Sequence, residues 1–509
     1  MKKQLILNSC SGVILYAVNI LVAFVMSPVV IRALGNRDYG VWELVMSVVG
    51  YMGLLDLGVG PALVRFVAVA SGKEDRDDMR RTMSTSFAFF LAVGVAVVLA
   101  FILLGYFPYL VGGRETGEIA NIGTVFLLFG LNAALVLPQQ VFIATLMGVQ
   151  RHYFINLSRG VLALLRAVLT FYLLRMYAGR GLIVLALLEP LFSLVQLLLF
   201  AAAVQLDPQL PRMSRSAVSW GKLGELFSFG VKNATMQVAG RLQNQSVPFI
   251  IGHVLGLGTI VYFAMPNRLI DYAKGLALAI GFPLTPYFSS TYGKGVHDEL
   301  VTSWLNTSLA LQIVTLAMPV AIFYYGETFL ALWIGRSYAV AGRWVLYCLL
   351  VGLVADALAS NAFRMLTAQG QHGRSALVWL VMSALSIPLG IAGARVWGVA
   401  GAALGTTVTM VVGNLVTLVM TCRLMKLSLR DYARQTLQRL LLPLLFFVAA
   451  AQLLARLFPV SGYAMLILQL ACGGAIYLAA VWFLTLPADT RGHFTTQFKA
   501  RFYRSAAAG

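Results

Sequence analysis

Long apolar runs follow one another along the whole chain, parted by short clusters of charge, glycine and proline, and this alternation leaves few folds open. A window of about 20 residues, the length at which an α-helix crosses a bilayer, places about fourteen spans. They run approximately over 8–33, 40–69, 83–107, 119–148, 153–176, 181–205, 222–254, 259–288, 300–325, 339–367, 374–395, 398–422, 437–458 and 460–486. Almost nothing is left over for an extramembrane domain. Apolar residues are 60% of the chain and charged residues 11%, too few to cover a soluble globule. Continuous runs, in place of alternating ten-residue strands, exclude a transmembrane barrel. The expected fold is therefore an all-α polytopic membrane protein. The start, MKKQLILNSC, has too short an apolar run before Cys10 for a signal peptide or lipoprotein box, so the first span is expected to be uncleaved.

Thirty-eight basic residues against 19 acidic give a net charge of +19. In a membrane protein this excess must first be divided between the two sides, because basic residues collect in cytoplasmic loops whatever the protein does. With both termini inside, 23 basic residues fall on the cytoplasmic side, nine on the other, and six at membrane depth: Arg65, Arg166, Lys232, Arg241, Arg268 and Lys274. The bias supports an even number of spans and a multi-pass protein with both ends in the cytoplasm. Cys10, Cys348, Cys422 and Cys472 all lie in apolar stretches without metal-like spacing and read as small core residues.

A faint internal repeat organises the spans. Leu34-Gly35 matches Leu255-Gly256 at an offset of 221 residues, Pro61 matches Pro283 at 222, and Thr145-x-x-Gly148 matches Thr367-x-x-Gly370 at 222. Three pairs in order at nearly one offset favour two parallel six-helix halves. The expected organisation is an N-terminal lobe at 1–205, a cytoplasmic linker at 206–221, a C-terminal lobe at 222–425, two further helices at 426–486 and a basic tail at 487–509.

Polar residues at membrane depth are the candidates for function. In the seventh span Asn233, Gln237, Arg241 and Asn244 share one helical face, and a cation there needs a wet cavity or a partner. A polar seam holding helices together is the alternative. The eighth span places Asn267, Asp271 and Lys274 on one face, with Arg268 beside Asp271; a self-neutralising cluster is the other reading. One carboxylate against two cations still leaves a positive remainder, and an anionic ligand complements it. In the first half, Asn8 and Asn19 share a face of span 1, and Asn19 corresponds to Arg241 at 222 residues. Asp56 sits in Leu55-Asp56-Leu57-Gly58-Val59-Gly60-Pro61, where glycines and proline loosen a helix beside a carboxylate. Span 10 aligns Asp356, Ser360 and Arg364; Asp56, Asp271 and Asp356 are all candidates for coupling a proton or sodium ion. Arg166 and Glu189 could pair across helices as a structural bridge.

Signatures of enzymes are poor. Asp75-Arg76-Asp77 spells a DxD within the charged loop KEDRDDMRR, with no domain to hold a nucleotide sugar, so a solvated loop is expected. There is no GxxxxGK[ST], and the five histidines are scattered, so neither ATP hydrolysis through a P-loop nor a catalytic metal is expected, and no cofactor is implied.

The segments LGNRDYGVW after span 1, DLGVGPALVRFVA closing span 2, and the endings MGVQRH and LTAQGQHGR of spans 4 and 10 resemble the polysaccharide transporter branch of the multidrug/oligosaccharidyl-lipid/polysaccharide exporter superfamily, the Wzx-type O-antigen flippases. The resemblance covers most of residues 1–425. It implies a V-shaped bundle of two lobes working by alternating access in the bacterial inner membrane. It further implies an undecaprenyl-diphosphate-linked oligosaccharide as substrate, drive by proton or sodium counterflow, and polysaccharide polymerase partners. On this reading Arg241, Arg268 and Lys274 meet the diphosphate, while Asn233, Gln237, Asn244 and Asn19 meet sugar hydroxyls. A MATE-like small-molecule exporter and a membrane glycosyltransferase or O-antigen ligase are the competing classes. The ligase lacks its large outward loop here, and a cation exporter wants an acidic cavity.

Overall fold

A computed structural model describes residues 2–486, apart from the side chains at 2–6, 9, 231–236 and 372. Lys2, Lys3, Lys232 and Asn233, with the basic tail 487–509, therefore lie outside the described residues or side chains. Every regular element among the described residues is helical. In chain order the main helices are α1 (Lys2–Met52), α2 (Val59–Gly72), α3 (Arg76–Tyr106), α4 (Ile122–Gly148), α5 (His152–Met176), α6 (Gly181–Gln205), α7 (Trp220–Val254) and α8 (Ile260–Gly281). They continue as α9 (Leu284–Gly293), α10 (His297–Thr315), α11 (Ala317–Trp333), α12 (Arg336–Ala359), α13 (Ala362–Ala368), α14 (His372–Leu424), α15 (Leu437–Leu457) and α16 (Tyr463–Ala480).

Ten helical runs among the described residues are long and apolar enough to cross a membrane. Two of them, Cys10–Asp56 with 47 residues and Gly373–Leu424 with 52, are about twice the roughly 20 residues a crossing needs. Each contains a break, at Gly35 (φ 72°, ψ 174°) in α1 and at Trp397–Gly398 (Gly398 φ 62°) in α14. α7 and α8 fall outside the ten, since they carry the polar residues singled out above. Exposed faces are apolar: Val13, Ile14, Leu21 and Val25 on α1, and Leu157, Val161, Leu164, Leu165 and Val168 on α5, at helical spacing. Such faces suit lipid, where a soluble helix would show charge.

The chain forms two compact units, Met1–Ala264 with Trp379–Thr406, and Met265–Val378 with Thr407–Gly509. In the first, α3 packs along α4, α4 along α6, α1 along α5, and α7 along α1 and α2. Between membrane helices the hydrophobic effect is weak, so small residues that let backbones approach do much of the fitting. A Cβ on Gly130 would stand 2.7 Å from the Phe101 side chain, and one on Gly393 would stand 2.2 Å from the Gly401 carbonyl oxygen. Gly405 likewise lies against Gly390, so the two arms of α14 fold back on each other about residue 397. Arg166 and Glu189 meet in a two-pronged pair, Nη1 to Oε2 at 3.1 Å and Nη2 to Oε1, with Glu189 buried.

In the second unit α11 packs on α12, α15 on α16 and α9 on α13. Trp304 stacks on Tyr432 with ring centroids 4.9 Å apart. The Tyr432 hydroxyl donates to the Leu358 carbonyl at 2.9 Å and accepts from Gln312 Nε2 at 3.0 Å, which occupies a carbonyl just before the break between α12 and α13. Arg343 and Glu327, one in α12 and one in α11, form a second forked pair, Nε to Oε2 at 2.7 Å.

Left-handed residues recur with a period. Gly35 and Gly256, Glu74 and Gly295, Gly113 and Gly335, Gln150 and Gly370, and Gly179 and Gly398 all have positive φ and are separated by 219 to 222 residues. That is the offset of the sequence repeat.

Gly401→Val should therefore wedge the arms of α14 apart and sharply reduce the folded protein recovered from membranes, whereas Gly462→Ala, with open space around it, should leave recovery unchanged. Equal yields of the two variants in size-exclusion chromatography would contradict the close packing.

Candidate functional site

The second span is broken where its sequence loosens it. After α1 the chain makes a 3-10 turn over Gly53–Asp56, then places Leu57 (φ 48°, ψ 24°) and Gly58 (φ 78°, ψ 7°) in the left-handed region before α2 begins at Val59. A bulky residue in that region costs on the order of 1–2 kcal/mol, so the surroundings must enforce it. Asp56 Oδ1 accepts from the Gly60 N–H at 2.7 Å and so occupies one of the donors at the start of α2.

Helix α7 supplies the surroundings. Its Gly230 lies against the break so closely that a Cβ on Gly58 would stand 2.4 Å from the Gly230 carbonyl oxygen, and a Cβ on Gly230 2.6 Å from that of Leu57. Eleven residues further along, the Arg241 guanidinium covers Gly53, with Nη2 2.9 Å from where a Cβ would be. One turn on, the Gln245 carboxamide covers Gly50, and the Ser246 and Tyr51 hydroxyls lie 2.6 Å apart. Arg241 is half-buried and forms no ion pair among the described residues. Gln237 is also half-buried, Asn244 is exposed on α7, and Asn19 is exposed on the first arm of α1. Asn8 is engaged elsewhere: it donates to the Gln150 carbonyl at 2.9 Å and accepts from the Tyr153 N–H at 2.9 Å, tying α1 to the start of α5.

The second unit holds the other candidates. Asp271 on α8 is exposed and accepts from Asn267 Nδ2 at 2.9 Å. Arg268 is half-buried, and Lys274 Nζ lies 3.8 Å from Met410 Sδ on α14. Asp356 accepts from Asn414 Nδ2 at 2.9 Å. Arg364 donates to the Ser360 carbonyl, and its guanidinium lies against Gly281 at the end of α8, 2.3 Å from where a Cβ would be. A guanidinium thus covers a glycine at a break in each of two helical runs, Arg241 at Gly53 and Arg364 at Gly281. Arg241 lies in the first unit and Arg268 and Lys274 in the second.

Further polar contacts lie within one helix or between two. Glu43, within α1, accepts from the Tyr39 hydroxyl, an i, i+4 contact that was there to be read. Asn414, Gln245 and the Tyr51–Ser246 pair depend on which helices meet, which spacing within one helix does not report.

Chemically, a half-buried guanidinium that forms no ion pair among the described residues, beside an exposed carboxamide and a helix break, offers donors to an anion. A family model for polysaccharide biosynthesis proteins matches residues 7–292, more than half of the chain. The chain belongs to the polysaccharide biosynthesis protein family. The matched region of this family member holds Asp56, Arg241, Arg268, Asp271 and Lys274 but not Asp356. A Shigella flexneri protein named as a candidate O-antigen transporter is 23% identical over 383 residues, covering 74% of this chain and 87% of that one. Among solved structures the fold is similar to the lipid II flippase MurJ in an inward closed conformation, with a TM-score of 0.71, 12% identity and coverage of 94% of this chain and 98% of that one. It is also similar to an inward-facing multidrug resistance MATE transporter, with a TM-score of 0.64, 15% identity and coverage of 81% and 94%. The resemblance of the sequence to the polysaccharide transporter branch stands at the level of the family.

The Arg166–Glu189 pair gives a test of charge placement. Glu189→Gln leaves a half-buried guanidinium without its counter-ion and should cost about 3–5 kcal/mol, while the double change Arg166→Met with Glu189→Leu should be close to neutral. Thermal unfolding of the purified variants measures both, and a neutral single variant would contradict a structural bridge.

Proposed function

We propose that this member of the polysaccharide biosynthesis protein family is a secondary transporter, not an enzyme, that turns an undecaprenyl-diphosphate-linked oligosaccharide from the inner to the outer leaflet of the bacterial inner membrane. The observation that carries the reading is Arg241: a half-buried guanidinium with no ion pair among the described residues, set over the broken second span. A charge held at that depth needs water or a ligand, and a diphosphate can accept a forked guanidinium. The name of the Shigella flexneri relative and the fold of the lipid II flippase point the same way.

The architecture that goes with it has fourteen spans. Counting the broken runs Cys10–Asp56 and Gly373–Leu424 as two spans each, and adding α7 and α8 to the remaining runs, supports that number. The lobes are 1–205 and 222–425, both termini are cytoplasmic, and the five pairs of left-handed residues support their common origin. Arg268 and Lys274 extend the cationic surface, and Gln237, Asn244, Asn233 and Asn19 offer amides to sugar hydroxyls. One of Asp56, Asp271 and Asp356 exchanges a proton or sodium ion against the substrate, because its charge alters the field that holds the diphosphate. Lipid-linked oligosaccharide and membrane lipid are the partners, with polysaccharide polymerases alongside. Likeness to a multidrug transporter fold keeps a small-molecule exporter as the second reading.

Purified protein in vesicles with labelled lipid-linked oligosaccharide tests both readings. Leaflet exchange should require the protein and accelerate with an imposed ion gradient. Arg241→Glu should abolish exchange while leaving folded protein in the membrane, and Arg241→Lys should retain part of it. Exchange at the parental rate in Arg241→Ala would make the cation structural. Transport of organic cations without exchange of the lipid would favour the second reading.

A further inference from the structure

The two repeat-related turns of the first unit meet each other. Gly35 (φ 72°, ψ 174°) turns the chain within α1, and Gly256 (φ 93°, ψ 155°) turns it between α7 and α8 in nearly the same conformation. Gly40 packs directly on the second turn, where a Cβ would stand 2.0 Å from the Leu257 carbonyl oxygen. Asn36 Nδ2 donates to the Tyr262 hydroxyl at 3.3 Å. A third segment joins them from the loop after α3. Glu115 Oε2 accepts from the Leu257 N–H at 2.9 Å, and Arg37 Nη2 donates to the Glu115 carbonyl at 3.1 Å and to Glu118 Oε2 at 2.9 Å. Glu115 also lies 2.9 Å from where a Cβ on Gly256 would be, so the second turn is closely packed at its glycine.

We propose that these turns are the outer gate of the transporter, closed in this structure and latched by the Glu115 carboxylate on the Leu257 N–H. The reading rests on the proposed function in that the distribution of basic residues sets residues 34–40, 113–118 and 255–259 on the non-cytoplasmic side, where the substrate must leave. The chemistry suits a reversible contact. A carboxylate on a backbone N–H is a charge-assisted bond, strong enough to bias two states, yet at the membrane surface water can replace it when the turns part. Apolar packing of Leu44 and Leu257 around Gly112 surrounds the latch, and Arg37 holds Glu115 in place from the other turn. The glycines let the backbones seat, and the carboxylate sets how firmly they stay.

Two measurements test this, one of them independent of the substrate. A single reporter cysteine at Asn244, in protein freed of its four native cysteines, is labelled by an impermeant maleimide added from outside intact spheroplasts. Gly40→Ala, which blocks seating, and Glu115→Ala, which removes the latch and is the milder change, should each speed labelling roughly ten-fold. Unchanged rates in both variants overturn the gate. A Cβ at residue 258 would lie 3.9 Å from the Asn36 Cβ, within the range of a disulfide, so Asn36→Cys with Gly258→Cys can lock the turns together. Oxidation of that pair should stop lipid-linked oligosaccharide exchange, and a reductant should restore it; exchange at the parental rate with the disulfide formed overturns the proposal. If the parental protein exchanges no such lipid, the labelling rates still report the gate, so the two proposals fail separately.

Discussion

No backbone donor or acceptor can be left unpaired in hydrocarbon, and the second span of this protein breaks its hydrogen-bond ladder between Gly53 and Val59. The rest of the first unit is arranged around that fault. Asp56 folds back onto the Gly60 N–H, Gly230 brings the backbone of α7 against Leu57 and Gly58, and Arg241 closes over Gly53. The approach of Gly230 to Leu57 and Gly58 is backbone on backbone and leaves no room for a Cβ on Gly58 or Gly230, while Gly53 and Gly60 lie under the Arg241 and Asp56 side chains. A break held in this way is also where polar groups can stand at membrane depth without facing lipid. Structure and proposed chemistry have one cause.

The second half of the chain repeats the device with different residues. α8 ends at Gly281 under the Arg364 guanidinium, α9 resumes at Leu284, and Arg364 lies on the run that carries Asp356 with its partner Asn414. Five pairs of left-handed residues separated by 219 to 222 positions mark turns along the chain, three of them glycine with glycine and two with a glycine in the second member only. A reversal between spans restricts φ, and glycine meets that restriction at the least steric cost. Two such turns touch where Gly40 packs on Leu257, both in the first unit.

Much of this was legible in the residues. Apolar length located the helices, Gly35 and Gly256 betrayed the turns, and the opposite charges of Arg166 and Glu189 in neighbouring spans anticipated their bridge. The polar stripe on α7 was legible as a stripe, whereas the contact of Gln245 with the second span beside Arg241 was not. Helical periodicity fixes angles within a helix and carries nothing about which neighbour a face meets. For the same reason Asn414 beside Asp356 and Glu115 beneath Leu257 were invisible, since each pairs residues tens of positions apart in sequence. Asn8, expected on the face of Asn19, spends its amide on the loop before α5, a case in which helix attachment won over a cavity role.

Preference for the charged end of the substrate is the most direct measure of whether Arg241 holds a diphosphate. Native mass spectrometry of the purified protein, offered equal amounts of undecaprenyl diphosphate-linked oligosaccharide and the same oligosaccharide joined to undecaprenol by a direct glycosidic bond, compares the two in one spectrum. The parental protein should retain the diphosphate form in clear excess, and Arg241→Ala should bind both forms alike. An unaltered preference in Arg241→Ala, with the protein intact, would contradict the assignment of this cation to the substrate.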